Sequence, residues 1–184
     1  MSTAKRERYD NAHYRGWHLA NTPHEGLTTE FEWGVMRFAE AFERWVVQLG
    51  AITGMSEISF SEIVILHVIG MQDRPKSAAA IARQLNRDDI PNIQYGIRKL
   101  VKNGFCRSIA EKTGKVQEYE LTPAGRKAGD HYARLREEIL TSQTMGIDRI
   151  DERLRDAVSL VSLLTGIYDE AARISATYSG GDDD

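Results

Sequence analysis

Apolar positions recur at intervals of three and four residues from Phe31 onward, where Val35, Phe38, Ala39, Phe42, Trp45, Val46 and Leu49 are separated by Arg37, Glu40, Glu43 and Arg44. That period places one apolar face on a helix ending near Gly50 or Gly54. Ser59 and Glu62 then stand three apart at the head of an apolar run reaching Ile69, the spacing of a capping box. The β-branched run suits a strand too. The cap and the length to Gly70 favour a helix buried on most sides, with His67 at the core edge rather than acting as a ligand. After the Asp73-Arg-Pro75 turn, Ser77 can cap a short helix with Ala78, Ile81, Ala82 and Leu85 on one face. A break at Asn86-Arg-Asp-Asp89 leads to a second helix, capped by Asp88 or Asp89. Pro91 fits its first turn, where a missing N–H costs no helical bond. Ile93, Ile97, Leu100 and Val101 supply its inward face, and Asn103-Gly104 ends it. Two helices joined by a tight break predict a helix-turn-helix.

Beyond Gly104 the period becomes two. Phe105, Arg107 and Ile109 alternate in one segment and Gln117, Tyr119 and Leu121 in the next, around the turn residues Glu111-Lys-Thr-Gly-Lys115, which predicts a β-hairpin. Thr122 and Pro123 open a long helix to roughly Gln143, and a last helix runs from about Asp148 to Thr177. Leu154, Val158, Val161, Leu164, Ile167, Tyr168 and Ala171 form its stripe. Residues 1–30 read as a polar arm with interspersed aromatics, and His13, His18 and His24 within it lack metal-site spacing. The Ser-Gly-Gly-Asp-Asp-Asp end reads as a solvated tail.

Composition sharpens this outline in three ways. At 184 residues, 41% hydrophobic and 28% charged, the chain is sized for one cored domain with appendages. The net charge of −3 hides a segregation: residues 74–136 hold fourteen Lys and Arg against six Asp and Glu, a net +8, leaving −11 on the remainder. A basic segment in an acidic chain suggests a nucleic-acid footprint. The single cysteine, Cys106, excludes an intramolecular disulfide and a CxxC metal site; beside apolar Phe105 and without a resolving partner, it reads as an inert strand residue rather than a redox switch. With no apolar secretion signal and no membrane-length run, the expected location is the cytoplasm. No Gly-rich phosphate loop, His-Glu-x-x-His or nucleophile motif is found, so no catalytic residue, cofactor or metal is expected and the chain is not read as an enzyme.

The order helix-turn-helix, hairpin, helix is that of a winged helix. Ile81-Ala-Arg-Gln-Leu85, Tyr95-Gly-Ile-Arg-Lys-Leu-Val-Lys-Asn-Gly-Phe105 and Leu121-Thr-Pro-Ala-Gly-Arg126 resemble the corresponding stretches of MarR-type regulators over about residues 60–128. The break between the helices is one residue longer than the family's, and the wing offers Lys112 and Lys115 where many members carry Asp-x-Arg. The resemblance implies dimerisation through an N-terminal and two C-terminal helices, and a small-molecule effector of unknown identity.

A recognition helix at about 89–103 whose Ile93, Ile97 and Leu100 face inward leaves Asn92, Gln94, Tyr95 and Arg98 for base edges. Asn and Gln match adenine and Arg matches guanine. Lys99, Lys102, Lys112 and Lys115 are placed to meet phosphates. The resulting expectation is a mainly α chain with a small β-hairpin wing at about 105–121. Its parts are an arm (1–30), an N-terminal dimerisation helix (31–54), a winged helix-turn-helix (55–122), C-terminal dimerisation helices (123–177) and an acidic tail (178–184). The expected function is that of a homodimeric transcriptional regulator binding specific double-stranded DNA, with no membrane partner. A winged-helix protein–protein adaptor without specific DNA binding is the alternative.

Overall fold

A computed structural model describes residues 17–110 and 117–178. Residues 1–16, residues 111–116 with Lys112 and Lys115, where a turn is expected, and residues 179–184 of the expected acidic tail lie outside the described residues. Two compact units divide the chain, one running up to Ala133 and one from Arg134 onward.

In the first unit, helix α1 spans Pro23–Ile52 and so starts well before Phe31. The cause is local: Thr22 accepts a hydrogen bond from the Glu25 N–H at 3.1 Å, and Pro23 occupies the first turn. The polar stretch around Thr28, Thr29 and Glu30 hides this start from a reading based on apolar period. Residues just before it fold back, with the Thr29 hydroxyl donating to the Leu19 carbonyl at 2.8 Å and the Trp17 and Trp33 rings 5.9 Å apart.

Helix α2 (Phe60–Gly70) carries the capping box that the Ser59/Glu62 spacing predicts and places Ile63, Ile65, Leu66 and Ile69 in the core. Strand β1 (Lys76–Ser77) follows a short 3-10 turn, then helix α3 (Ala78–Gln84), capped by Ser77, and helix α4 (Ile90–Lys102). Ile81 of α3 and Ile93, Ile97 and Leu100 of α4 are fully buried against α2. Both helices end on a left-handed residue, Asn86 at φ +51° and Gly104 at φ +78°. The next N–H reaches back in each case, Arg87 to the Ala82 carbonyl at 2.9 Å and Phe105 to the Leu100 carbonyl at 3.0 Å, so both are Schellman ends.

Strands β2 (Cys106–Ala110) and β3 (Gln117–Leu121) form the antiparallel wing, with Ser108 opposite Tyr119 and Cys106 opposite Leu121. The sheet order is β1-β3-β2, which adds a strand the hairpin reading did not include; two residues are too few to show alternation. Buried Lys76 in β1 donates to the carbonyls of Ile69 (3.3 Å), Arg74 (3.2 Å) and Met71, closing the end of α2. Burial pushes its ammonium pKa down and the Arg74 charge adds to that, against an opposing pull from Asp73.

Helix α5 spans Pro123–Arg136, continuing through a π-helical turn at Glu137–Thr141 into α6 (Ser142–Thr144). In the second unit, α7 (Ile150–Tyr178) places none of its residues in a core. The predicted stripe is there, and Leu154, Val158, Val161 and Ile167 are exposed along it. The molecule is mainly helical with a small antiparallel wing, as the pattern predicts.

Candidate nucleic-acid interface

The apolar period of α4 fixes which side chains remain outside. With Ile93, Ile97 and Leu100 inaccessible, Asn92, Gln94, Tyr95 and Arg98 all lie exposed on the helix, as does Lys102 in its last turn. Gly96 sits against α2, where an added Cβ would lie 2.8 Å from the Ile65 Cδ1 atom, so the lack of a side chain permits close packing of the two helices. Tyr95 is 56% exposed, with the Arg98 guanidinium 5.9 Å and the Lys99 ammonium 5.8 Å from its ring centre. These distances are within cation–π range, so the tyrosine gathers two cations on one side of the helix.

Lys99 is also tied inward. Its ammonium lies 2.6 Å from Glu62 Oε1, while Glu62 Oε2 accepts the Ser59 N–H at 2.9 Å. Burial alone would raise the Glu62 carboxyl, but Lys99 and the Ser59 N–H outweigh it and hold the group below its ordinary pKa. The hydrogen bond that Lys99 donates to Glu62 shifts the lysine the opposite way, upward. Glu62 therefore does more than cap α2; it joins α2 to α4.

A second link is at the break between the helices. The Arg87 guanidinium donates through Nε to Asp89 Oδ1 at 2.7 Å and through Nη2 to Asp89 Oδ2, and its Nη1 donates to Ser61 Oγ on α2 at 2.9 Å. By residue type alone Asp89 reads only as a possible cap of α4, and Arg87 has no evident role. The legible signal was the Arg-x-Asp spacing, which puts a fork donor and a carboxylate two residues apart in a break too short to separate them.

On the wing, Arg107 donates to Glu120 directly across the ladder at 2.7 Å. Arg126 pairs with Asp73. Four cations of the basic segment, Arg87, Lys99, Arg107 and Arg126, are thus held by carboxylates, and Lys76 is buried. Asp89 and Glu120 are already counted in the +8, but Glu62 and Asp73 lie outside residues 74–136 and Lys76 is buried, so the sum overstates the charge offered to a polyanion.

Cys106 is buried, and burial pushes its thiol up to about 12, so the reactive thiolate is suppressed at neutral pH. An open cavity of about 530 Å³ lies between α2, β3 and α5, with Leu66, His67, Leu121, Arg126 and Asp130 among its walls. Among the described residues no group of three or more His, Cys, Asp or Glu could hold a metal ion, and no helix is long and apolar enough to cross a membrane.

Residues 59–125 match a protein-family model described as a winged helix DNA-binding domain. No curated protein matches the sequence. Among solved structures, a MarR family transcriptional regulator from Rhodococcus sp. RHA1 superposes with a TM-score of 0.58 at 15% identity, covering 73% of this chain and 94% of that one. The Mycobacterium tuberculosis regulator MosR, solved with DNA, gives 0.56 at 18% identity over 77% and 96% of the two chains. Streptococcus pneumoniae FabT, also solved with DNA, gives 0.57 at 16% over 76% and 98%. Residues 59–125 are accordingly a winged helix domain, set in a chain that has the fold of MarR family transcription regulators.

Proposed function

We propose that this protein is a MarR-type transcriptional regulator which binds specific double-stranded DNA as a homodimer, with α4 in the major groove and the wing on the backbone or in the minor groove. The observation that carries this reading is the two-sided character of α4. Three fully buried isoleucine and leucine side chains anchor it, while Asn92, Gln94, Tyr95 and Arg98, with the donors, acceptors and aromatic surface suited to base edges, line its exposed side. The same fold in MosR and FabT, both solved with DNA, supports it.

Lys102 and, at the wing tip, Lys112 and Lys115 are assigned to phosphates, and Lys99 meets a phosphate by exchanging its Glu62 partner for it. The cavity between α2, β3 and α5 has the volume of a small-molecule site, roughly 300–1,000 Å³, and is where an effector would fit.

Selection of bound sequences from random duplex DNA at a stated salt concentration tests the function. A recovered pseudo-palindrome with half-sites about 10 base pairs apart is the expected result. Salt-sensitive binding with no recovered sequence, or no binding at all, would favour the protein–protein adaptor.

A further inference from the structure

Asp89 stands at the N-cap of α4, the position where an aspartate ordinarily accepts a hydrogen bond from the helix's own first N–H groups. Here it does not; the carboxylate makes no side-chain cap bond. Both of its oxygens are turned to other side chains. Oδ1 accepts Arg87 Nε at 2.7 Å, and Oδ2 accepts Arg87 Nη2 and, at 3.1 Å, Asn92 Nδ2. Arg87 is itself fixed to α2 through Ser61 Oγ. The chain Ser61, Arg87, Asp89, Asn92 thus runs from the scaffold helix to the exposed side of the recognition helix, and its last member is one of the base-reading candidates.

We propose that Asp89, held by Arg87 and Ser61, is a specificity-positioning residue that sets the orientation of the Asn92 amide so that Asn92 reads adenine. This rests on the reading of α4 as a DNA recognition helix. An ionised carboxylate only accepts hydrogen bonds. It therefore takes the amide nitrogen of Asn92 and rejects the flipped orientation, which would set two acceptor oxygens against each other. Nδ2 has two hydrogens, so one stays available beside the Oδ1 acceptor. That outward pair, an acceptor next to a donor, complements N6–H and N7 on the major-groove edge of adenine. An amide able to flip would offer the reversed pair half the time and discriminate poorly. Arg87 and the Asn92 hydrogen bond hold the Asp89 carboxyl at about 2, so the orienting charge is present throughout the physiological range.

The test compares the full-length wild type with Asp89→Asn, Asn92→Ala and the double variant, each in sequence selection followed by competition binding against single-base variants of the selected duplex. Asparagine caps helices as well as aspartate, and thermal melting checks that each variant is folded. The wild type is expected to prefer adenine at one position in each half-site. Asp89→Asn should lower that preference by roughly tenfold while leaving the other positions unchanged. Because a negative charge near phosphate is removed, affinity for unrelated duplex should hold or rise, which a loosened helix would not produce. In the Asn92→Ala background the same change should have no further effect on sequence preference. Arg87→Gln should give a partial loss at the same position.

Full retention of the adenine preference by Asp89→Asn, loss spread over all positions, or an equal loss in the absence of Asn92 would each overturn the proposal while leaving sequence-specific binding intact. A wild type that selects no sequence would overturn the DNA reading itself.

Discussion

Gly125 in the first turn of α5 lies so close to the Phe105 carbonyl that an added Cβ would stand 2.0 Å from the oxygen and 3.0 Å from the carbonyl carbon. The same oxygen accepts the Thr122 N–H at 3.0 Å, and Thr122 Oγ1 accepts the Gly125 N–H at 3.1 Å. The glycine of the Leu121-Thr-Pro-Ala-Gly-Arg126 stretch is thus the contact at which the wing's first strand and the helix after the wing meet backbone to backbone. Gly125→Ala is expected to destabilise the fold by at least the upper part of the roughly 1–3 kcal/mol typical of overpacking, because backbone cannot move aside as a side chain can. Gly129→Ala, four residues on in the same helix with nothing within 4 Å of its Cβ position, should instead stabilise by up to about 1 kcal/mol through helix propensity. Urea denaturation of the two variants checks the contrast, and similar effects from both would reject it.

Under the proposed DNA-binding mode, Lys99 and Lys102 separate structural charge from phosphate-contacting charge. Lys102→Ala removes an exposed cation and is expected to reduce the slope of log affinity against log salt by about 0.9 with stability unchanged. Lys99→Ala should lower the slope similarly and also lower the melting temperature, since it leaves Glu62 buried without its cation; the loss is smaller than for a fully buried pair because Lys99 is 36% exposed. Titrations at several salt concentrations and thermal melts distinguish the two. Equal melting temperatures would show that the Glu62 pair adds nothing to the fold.

Acid stability follows from the Arg87 and Asp89 pair. The Asp89 carboxyl is depressed to about 2 from an ordinary 3.8, so the folded state releases its proton more readily than the unfolded state. A depressed acid contributes stability that is complete above the unfolded value and lost as pH falls through the folded one. The melting temperature of wild type should therefore exceed that of Asp89→Asn at neutral pH, with the gap closing between about pH 4 and about pH 2. A constant gap across that window would place the difference elsewhere than in this ionisation.

The elements were legible where one residue type had one local consequence. Ser59 with Glu62, Ser77 before Ala78 and Gly104 after α4 each mark an end that the fold uses. The exposed side of α4 was legible too, because three buried positions at helical spacing leave the rest outside. The start of α1 was masked by polar residues between Thr22 and Phe31, although the Thr22-Pro23 pair alone specifies it. The ion pairs that partly fill the basic segment could not be read from charge counts. Glu62 and Lys99 are far apart in sequence and meet only because Gly96 lets α4 approach α2. Asp89 was legible as a cap by residue type, whereas its actual partners depend on the side chain turning away from the helix axis.

Dimerisation is argued from what one chain leaves uncovered. On α1, the Phe38 and Phe42 rings stack 6.0 Å apart, and Phe38 is 69% exposed; Val35 and Met36 lie exposed one turn earlier. On α7, Leu154, Val158, Val161 and Ile167 of the predicted stripe are exposed on a helix of 29 residues with no buried position. Apolar patches of this extent are rare on monomers, and a helix gains most of its stability from packing an amphipathic face. In the proposed homodimer a second copy of the chain would supply that packing in a two-fold arrangement, which would also impose two-fold symmetry on the bound DNA. Sedimentation at micromolar concentration should therefore give twice the monomer mass. In the proposed dimer, Val158→Glu and Phe38→Glu would each place an unpaired carboxylate in the interface, at a cost of at least about 2 kcal/mol, or roughly thirtyfold in the dimer dissociation constant. Both variants should shift toward monomer and lose tight binding to the two-half-site duplex while retaining weak binding to one half-site. A wild type that sediments as a monomer, or variants that remain dimeric with unchanged affinity, would remove these two faces from the interface and the two-fold DNA arrangement with them.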